Sequence, residues 1–368
     1  VTASWIAITL LWTFIFIYSI GGSIDFGAGF WAMLYGIKKD VRAAALANRY
    51  LSPSWEVTNV FLVLIVVALV TFFPKALFTL GTVLLVPGSL ILILLTLRSA
   101  FMVYSHVVKK YDAVLRIISG VTGLLIPGLL ISVLPIIQGG FIETDPNGIQ
   151  RLLLGKLFTS PREYAYLGFG VSSTLFLSTI LLADYARVAG DESSYRLYRK
   201  HAIWLGPTSI FMAFLIILTF NQETNWLLVN LNRQKVWFAL SIIAFAIGYS
   251  ALWWPGKHVE EETGETKTEK AETGQDVAAQ MKTGQMKVGR PRVTVVSVII
   301  QYAIASYAYG SAHLPYVVYP NSTIEASITN TPMLRSLLFS YLIGIVILLP
   351  GFIFFWRLFM NDRYVTNK

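Results

Sequence analysis

Three ionisable side chains stand inside otherwise apolar stretches of this sequence. Asp25 lies in Gly21-Gly22-Ser23-Ile24-Asp25-Phe26-Gly27-Ala28-Gly29, Glu56 in Leu51-Ser52-Pro53-Ser54-Trp55-Glu56, and Arg98 in Leu97-Arg98-Ser99. An ionisable group inside an apolar helix is expensive, so it faces a partner or a polar pathway. A carboxyl can both take and release a proton, which is what a relay needs. The glycines around Asp25 let another helix backbone approach closely. A plainer alternative is a structural pair, Asp25 with Arg98, in a bent helix. Ser52 as N-cap and Pro53 at the first helical position predict a helix starting there, with Glu56 in or beside its first turn. The helix dipole favours an anion at that point and burial opposes it. Glu56 is therefore expected near the inner mouth, with Asp25 deeper in the membrane. The plainer reading of Glu56 is an interfacial acid without function.

The four histidines offer less. His106 and His201 fall at inner ends of apolar runs, His258 in a polar stretch, and His313 near an outer end. Haem or metal ligation needs histidines facing a cavity at membrane depth. Interfacial positions are expected for them, and for Asp184. Asn321-Ser322-Thr323 matches the short glycosylation pattern. There is no P-loop, no G-x-S-x-G and no H-E-x-x-H.

The elements that position these residues are long apolar helices. Of the 368 residues, 55% are hydrophobic and 13% charged, where a soluble domain carries about 25% charged. Mean hydropathy is +0.62. Runs of ~20 apolar residues recur, and each spans a ~30 Å hydrocarbon core as a helix. Ten Trp and 18 Tyr suit interfacial belts. The absence of cysteine excludes disulfides, iron–sulfur clusters and thiolate haem ligation. The first run, Trp5 to Ile20, has no preceding basic residue and reads as a retained span, not a signal peptide.

An all-α integral membrane protein of about nine transmembrane helices is predicted. The spans are roughly 5–34, 54–73, 77–107, 113–138, 164–187, 203–220, 235–254, 294–315 and 335–359. Residues 1–255 carry the first seven and 293–368 the last two. Residues 256–292 hold seven acidic and seven basic residues and no aromatic one. That segment lacks apolar area to offset its ordering, and a disordered cytoplasmic linker is expected. The net charge of +9 therefore lies elsewhere, in connections between spans, which argues against nucleic-acid binding. Lys38, Lys39, Arg42, Arg49, Lys109, Lys110, Arg196, Arg199 and Lys200 share one face. By the positive-inside rule that face is cytoplasmic, with the N-terminus outside and the C-terminus inside.

These residues resemble subunit II of the cytochrome bd family of quinol oxidases, over nearly the whole chain. Gly22-Ser23-Ile24-Asp25-Phe26-Gly27-Ala28-Gly29 looks like the family's G-F-D-x-G-x-G pattern. Pro53-Ser54-Trp55-Glu56-Val57-Thr58-Asn59-Val60-Phe61 is similar to its P-x-W-D/E-x-N-x-W run, with Phe61 in place of the last tryptophan. Arg98, and Leu314-Pro315-Tyr316 through Tyr319-Pro320-Asn321-Ser322-Thr323, complete the likeness. The linker is longer than the family leads one to expect. The resemblance implies a haem-free subunit, inactive alone, in a prokaryotic cytoplasmic membrane. Its partner, subunit I, would carry b- and d-type haems and the quinol site. A small single-span accessory subunit and membrane lipid are further implied partners. Asp25 and Glu56 would conduct protons to the oxygen-reducing haem, with Arg98 as an ion-pair partner. The rival class is a secondary transporter or ion-channel subunit using buried carboxylates. A third reading is a scaffold for subunit I.

Overall fold

In the computed structural model the described residues are 2–107, 112–146, 149–255, 288–320 and 322–360. Most of the expected linker, His258 and Asn321 lie outside them. So do the side chains of Glu56 and His106, although both residues belong to helices.

The chain is a helical bundle in two parts, and α8 joins them. The first part holds α1 (Thr2–Ile37), α2 (Val41–Phe72), α4 (Leu85–Val107) and α5 (Asp112–Ile131), with α6 (Val133–Ile137) continuing α5. The second holds α8 (Pro161–Val188), α9 (Glu192–Leu218), α11 (Lys235–Ser250) and α12 (Pro291–His313). Helix α8 packs against α1, α5, α9 and α12. Its buried face is rich in small hydroxyl residues, including Ser172, Ser173, Thr174, Ser178 and Thr179, which let neighbouring backbones come close. Helix α14 (Thr331–Met360) rests on α1 and α2.

Short elements close the end opposite Lys38. They are α3 (Pro74–Val83), α7 (Leu154–Phe158), α10 (Asn225–Arg233) and α13 (Ile324–Ser327). With them lie the antiparallel pairs β1 (Ile142–Thr144) with β2 (Gln150–Leu152), and β3 (Tyr316–Val318) with β4 (Ser322–Thr323).

Among the described residues, six helices are long and apolar enough to cross a membrane. A seventh is added if the bent pair Thr58–Phe72 and Pro74–Val83 is one span. A nine-span arrangement needs the shorter apolar helices Lys235–Ser250 and Thr331–Ile347 to cross as well.

Two expectations are corrected. No helix starts at Ser52-Pro53: α2 begins at Val41, and its N-cap is Asp40, whose side chain accepts from the Ala43 N–H. The run Ala43-Ala44-Ala45 has the highest helix propensity. Ala43, Ala44 and Ala47 are small enough to pack beneath Tyr198, whose hydroxyl donates to the Ala43 carbonyl at 2.9 Å. Arg42 and Arg49 thus lie on a helix, not in a connection. The span expected at 77–107 is also divided. Pro74 opens α3 without an N–H to continue α2, and the axis turns by 119° there. Leu84 then separates α3 from α4.

The base of the linker is pinned. Pro255 and Val288 form an antiparallel bridge, and Gly289 N–H donates to the Trp254 carbonyl at 2.7 Å. Arg290 N–H donates to Ala251 O and Arg199 Nε to Leu252 O, each at 2.7 Å. Deleting Glu260 to Gln285 leaves six residues to join ends that already touch. Loops of that length are common between paired neighbours. Yield and melting temperature of the deleted chain are expected to match the parent within error, and a large loss of either would show that the segment docks something.

At the opposite end, Glu223 clamps two connections to α8. Its carboxylate accepts from Lys156 Nζ at 2.8 Å and lies 3.7 Å from Arg162 Nη2. The hydrogen bond from Lys156 is the main cause that holds this carboxyl below its ordinary value. A carboxyl lowered on folding stabilises fully above its unfolded pKa, ~4.3, and less as pH falls through the folded value. Glu223→Gln is expected to lower the melting temperature slightly at neutral pH. It should also make melting less acid-sensitive below about pH 5. Parallel melting curves for parent and variant down to pH 3 would contradict this.

Candidate functional site

Asp25 and Arg98 meet in the middle of the first bundle. Asp25 is 2% exposed and Arg98 1%. Arg98 Nη2 lies 3.2 Å from Asp25 Oδ2 and donates to the Asp25 carbonyl at 2.9 Å. Its Nη1 donates to the Ser119 carbonyl at 2.6 Å and to Ser119 Oγ at 3.1 Å. One guanidinium therefore ties α4 to α1 and α5. Only arginine offers this planar fork, two donors to each side. The ring of Phe26 lies 5.3 Å from the guanidinium carbon, close enough for a cation–π contact.

The glycines that seat it have a steric reason. A Cβ on Gly29 would stand 2.8 Å from Arg98 Nη1. A Cβ on Gly123 would stand 2.4 Å from the Phe26 carbonyl and 3.1 Å from Nη1. The two glycines thus open the slot in which the cation sits.

Asp25 uses its oxygens unequally. Oδ2 faces the arginine, while Oδ1 is buried and has no hydrogen-bond partner among the described residues. A carboxyl held on one side and open on the other has a place to receive a proton.

Glu56 belongs to α2, two residues before Thr58. Thr58 is buried against α1, with its Oγ1 3.1 Å from where a Gly21 Cβ would be. By helix rise, the Glu56 backbone lies ~3 Å from Thr58 toward the lysine-bearing end. Asp25 lies ~6 Å from Gly21 in the same direction. The two backbones are thus at nearly equal depth, and Glu56 is not nearer the mouth as expected. That expectation had rested on a helix starting at Pro53.

The remaining candidates are dispersed. Asp184 pairs with Arg292, Oδ2 to Nε 3.4 Å, near the C-terminal end of α8. His201 is half-buried, and its Nε2 is 2.5 Å from the Tyr35 hydroxyl. His313 ends α12 and is 5% exposed, covered by Trp226 of α10 and by Tyr309 of its own helix. Among the described residues no group of three or more His, Cys, Asp or Glu could hold a metal ion.

Sequence reasoning missed a second buried carboxyl. Glu163 is 1% exposed, and its Oε1 accepts from Ser132 Oγ. Beside it, Gln138 Nε2 donates to the Tyr166 and Tyr309 hydroxyls, the latter at 2.9 Å. Lys156 and Arg162 made this stretch look like a charged loop. The signal available was Ser160-Pro161, an N-cap and first-turn proline that start α8 before Glu163.

Fold and site together define a polytopic helical membrane protein that keeps a carboxylate–arginine pair away from lipid. The sequence profile of the cytochrome bd terminal oxidase subunit II family matches residues 3–359. A "putative cytochrome bd menaquinol oxidase subunit II" of Bacillus subtilis (strain 168) is 46% identical over 368 residues, covering 100% of this chain and 99% of the relative. The solved bd oxidase of Geobacillus thermodenitrificans contains a chain that superposes with a TM-score of 0.76 at 32% identity, covering 100% of both. The chain belongs to the cytochrome bd terminal oxidase subunit II family. It is a multi-pass protein of the cytoplasmic membrane and a subunit of an oxidoreductase complex. Membership implies a partner, subunit I.

Proposed function

We propose that this chain packs against a haem-bearing subunit I and supplies part of the route by which cytoplasmic protons reach the oxygen-reducing haem. Asp25 and Glu56 are the proton-conducting carboxyls, and Arg98 holds Asp25 in place. Reducing oxygen to water consumes protons, so a haem buried in the membrane needs such a route. The observation that carries the reading is the buried Oδ1 of Asp25, without a hydrogen-bond partner among the described residues, opposite an Oδ2 held by Arg98. The near-equal depth of Asp25 and Glu56 supports two carboxyls serving one level of the route.

The face bearing Lys38, Lys39 and Arg199 is cytoplasmic, the N-terminus is outside, and nine helices cross. The haems and the quinol, menaquinol in the name of the Bacillus subtilis relative, belong to subunit I. This chain is haem-free and inactive alone, and a small accessory subunit completes the complex. Family membership favours this reading over a transporter or channel subunit.

The test uses the assembled complex. Glu56→Gln and Asp25→Asn keep size and remove titration. Both are expected to retain parent haem content and lose oxygen turnover, Asp25→Asn more severely. If both variants turn over at the parent rate, the chain is a scaffold.

A further inference from the structure

Arg98 and Asp25 each keep one polar atom unused. Arg98 Nε and Asp25 Oδ1 are both buried, and neither has a hydrogen-bond partner among the described residues. Native structures satisfy nearly all such atoms. One is a donor, the other an acceptor, and they belong to the same ion pair. The side of a guanidinium formed by Nε and Nη2 takes both oxygens of a carboxylate in the two-point geometry. Here only half of that fork is made, with Oδ2 3.2 Å from Nη2.

The two partners are not held equally. Nη1 donates to the Ser119 carbonyl at 2.6 Å and to Ser119 Oγ at 3.1 Å, and Nη2 donates to the Asp25 carbonyl at 2.9 Å. None of these three acceptors gains or loses a charge, so the guanidinium stays seated in either state of the carboxyl. A Cβ on Gly29 would stand 2.8 Å from Nη1 and 3.0 Å from Nη2, so the α1 backbone closes the edge between those two nitrogens. The edge left for a carboxylate is that of Nε and Nη2. The carboxyl itself turns about its Cβ–Cγ bond, a broad torsion without sharp minima. That turn moves the oxygens within the space the carboxyl already fills and needs no cavity.

We propose that Arg98 Nε is a second seat for Asp25 Oδ1, taken when the carboxyl is ionised and left when it is protonated. The inference rests on the reading of Asp25 given above. As a carboxylate, Asp25 gives both oxygens to the fork, Oδ1 to Nε–H and Oδ2 to Nη2–H. An incoming proton bonds to Oδ1, the hydrogen bond from Nε breaks, and the pair opens to the one-point contact seen here. When that proton leaves for the next acceptor on the route, Oδ1 returns to Nε. The proton is gained and lost at one atom, and Arg98 keeps its charge throughout. A buried anionic oxygen without a donor is costly, so the fork closes behind each proton.

Infrared difference spectroscopy of the complex with subunit I tests it, through a pH titration with ordinary and with heavy-nitrogen arginine. Asp25→Asn is the control, since its amide does not ionise. A protonated-carboxyl stretch lost in Asp25→Asn is expected, together with a shift of guanidinium bands identified by the label. Both should change with one midpoint, and the arginine shift should vanish in Asp25→Asn. A carboxyl band that titrates while the arginine bands stay fixed would show a one-point contact in both states and overturn the inference. The absence of any Asp25-dependent band across the pH range in which the complex keeps its haem would overturn it as well. The Asp25 reading is judged separately, by oxygen turnover in Asp25→Asn, so the two fail independently.

Discussion

Asp25→Asn is expected to yield a complex with full haem content that reduces oxygen more slowly by on the order of 10²-fold or more. The structure says why assembly should survive. Arg98 keeps three acceptors when the charge is removed: the Asp25 carbonyl, the Ser119 carbonyl and Ser119 Oγ. The amide also retains an oxygen where Oδ2 stood, 3.2 Å from Nη2. What is lost is a group that can hold and release a proton. Oδ1 is replaced by an amide NH2, which donates and cannot accept a proton. The measurement is oxygen uptake with quinol in excess, normalised to haem from the absorption spectrum. Asp25→Glu should recover part of the rate, because it restores titration at some cost in fit. Normal turnover in Asp25→Asn would end the proton reading.

Arg98→Leu is expected to fail at a different step. It leaves the Asp25 carboxylate buried without its cation and unties α4 from α1 and α5. Removing one partner of a buried pair costs about 3–5 kcal/mol. That is a large share of the ordinary stability of a domain. The assembled complex should be scarce, with a low ratio of haem to subunit. Arg98→Lys should not rescue it, since one ammonium cannot serve Asp25 and Ser119 with paired donors. The double variant Arg98→Leu with Asp25→Asn should assemble better than Arg98→Leu alone, because no charge is left unpaired. Equal yields from the single and double variants would mean that the two side chains are not energetically linked.

The two experiments separate roles that one ion pair joins. Asp25 has one oxygen given to structure and one left open, so neutralising it removes chemistry more than stability. Arg98 has four contacts and is almost fully buried, so removing it does the reverse.

Composition and pattern already determined that this is an all-α membrane protein, because lipid forces each span to satisfy its own backbone. They also singled out Asp25, Glu56 and Arg98, because charge in an apolar run is rare enough to notice. Local reading failed where packing outweighs local preference. Pro53 looks like a helix start, yet α2 runs through it from Val41. The apolar run 77–107 looks continuous, yet its helix is divided at Leu84. Glu163 looked like part of a charged loop, yet it is buried against Ser132. Only the tertiary structure decided that Arg98 reaches across 73 positions to Asp25. It alone brought the Glu56 backbone near the level of Asp25. Such relations depend on which helices become neighbours and how far each slides along the next. Spans that are all apolar carry almost no local record of either.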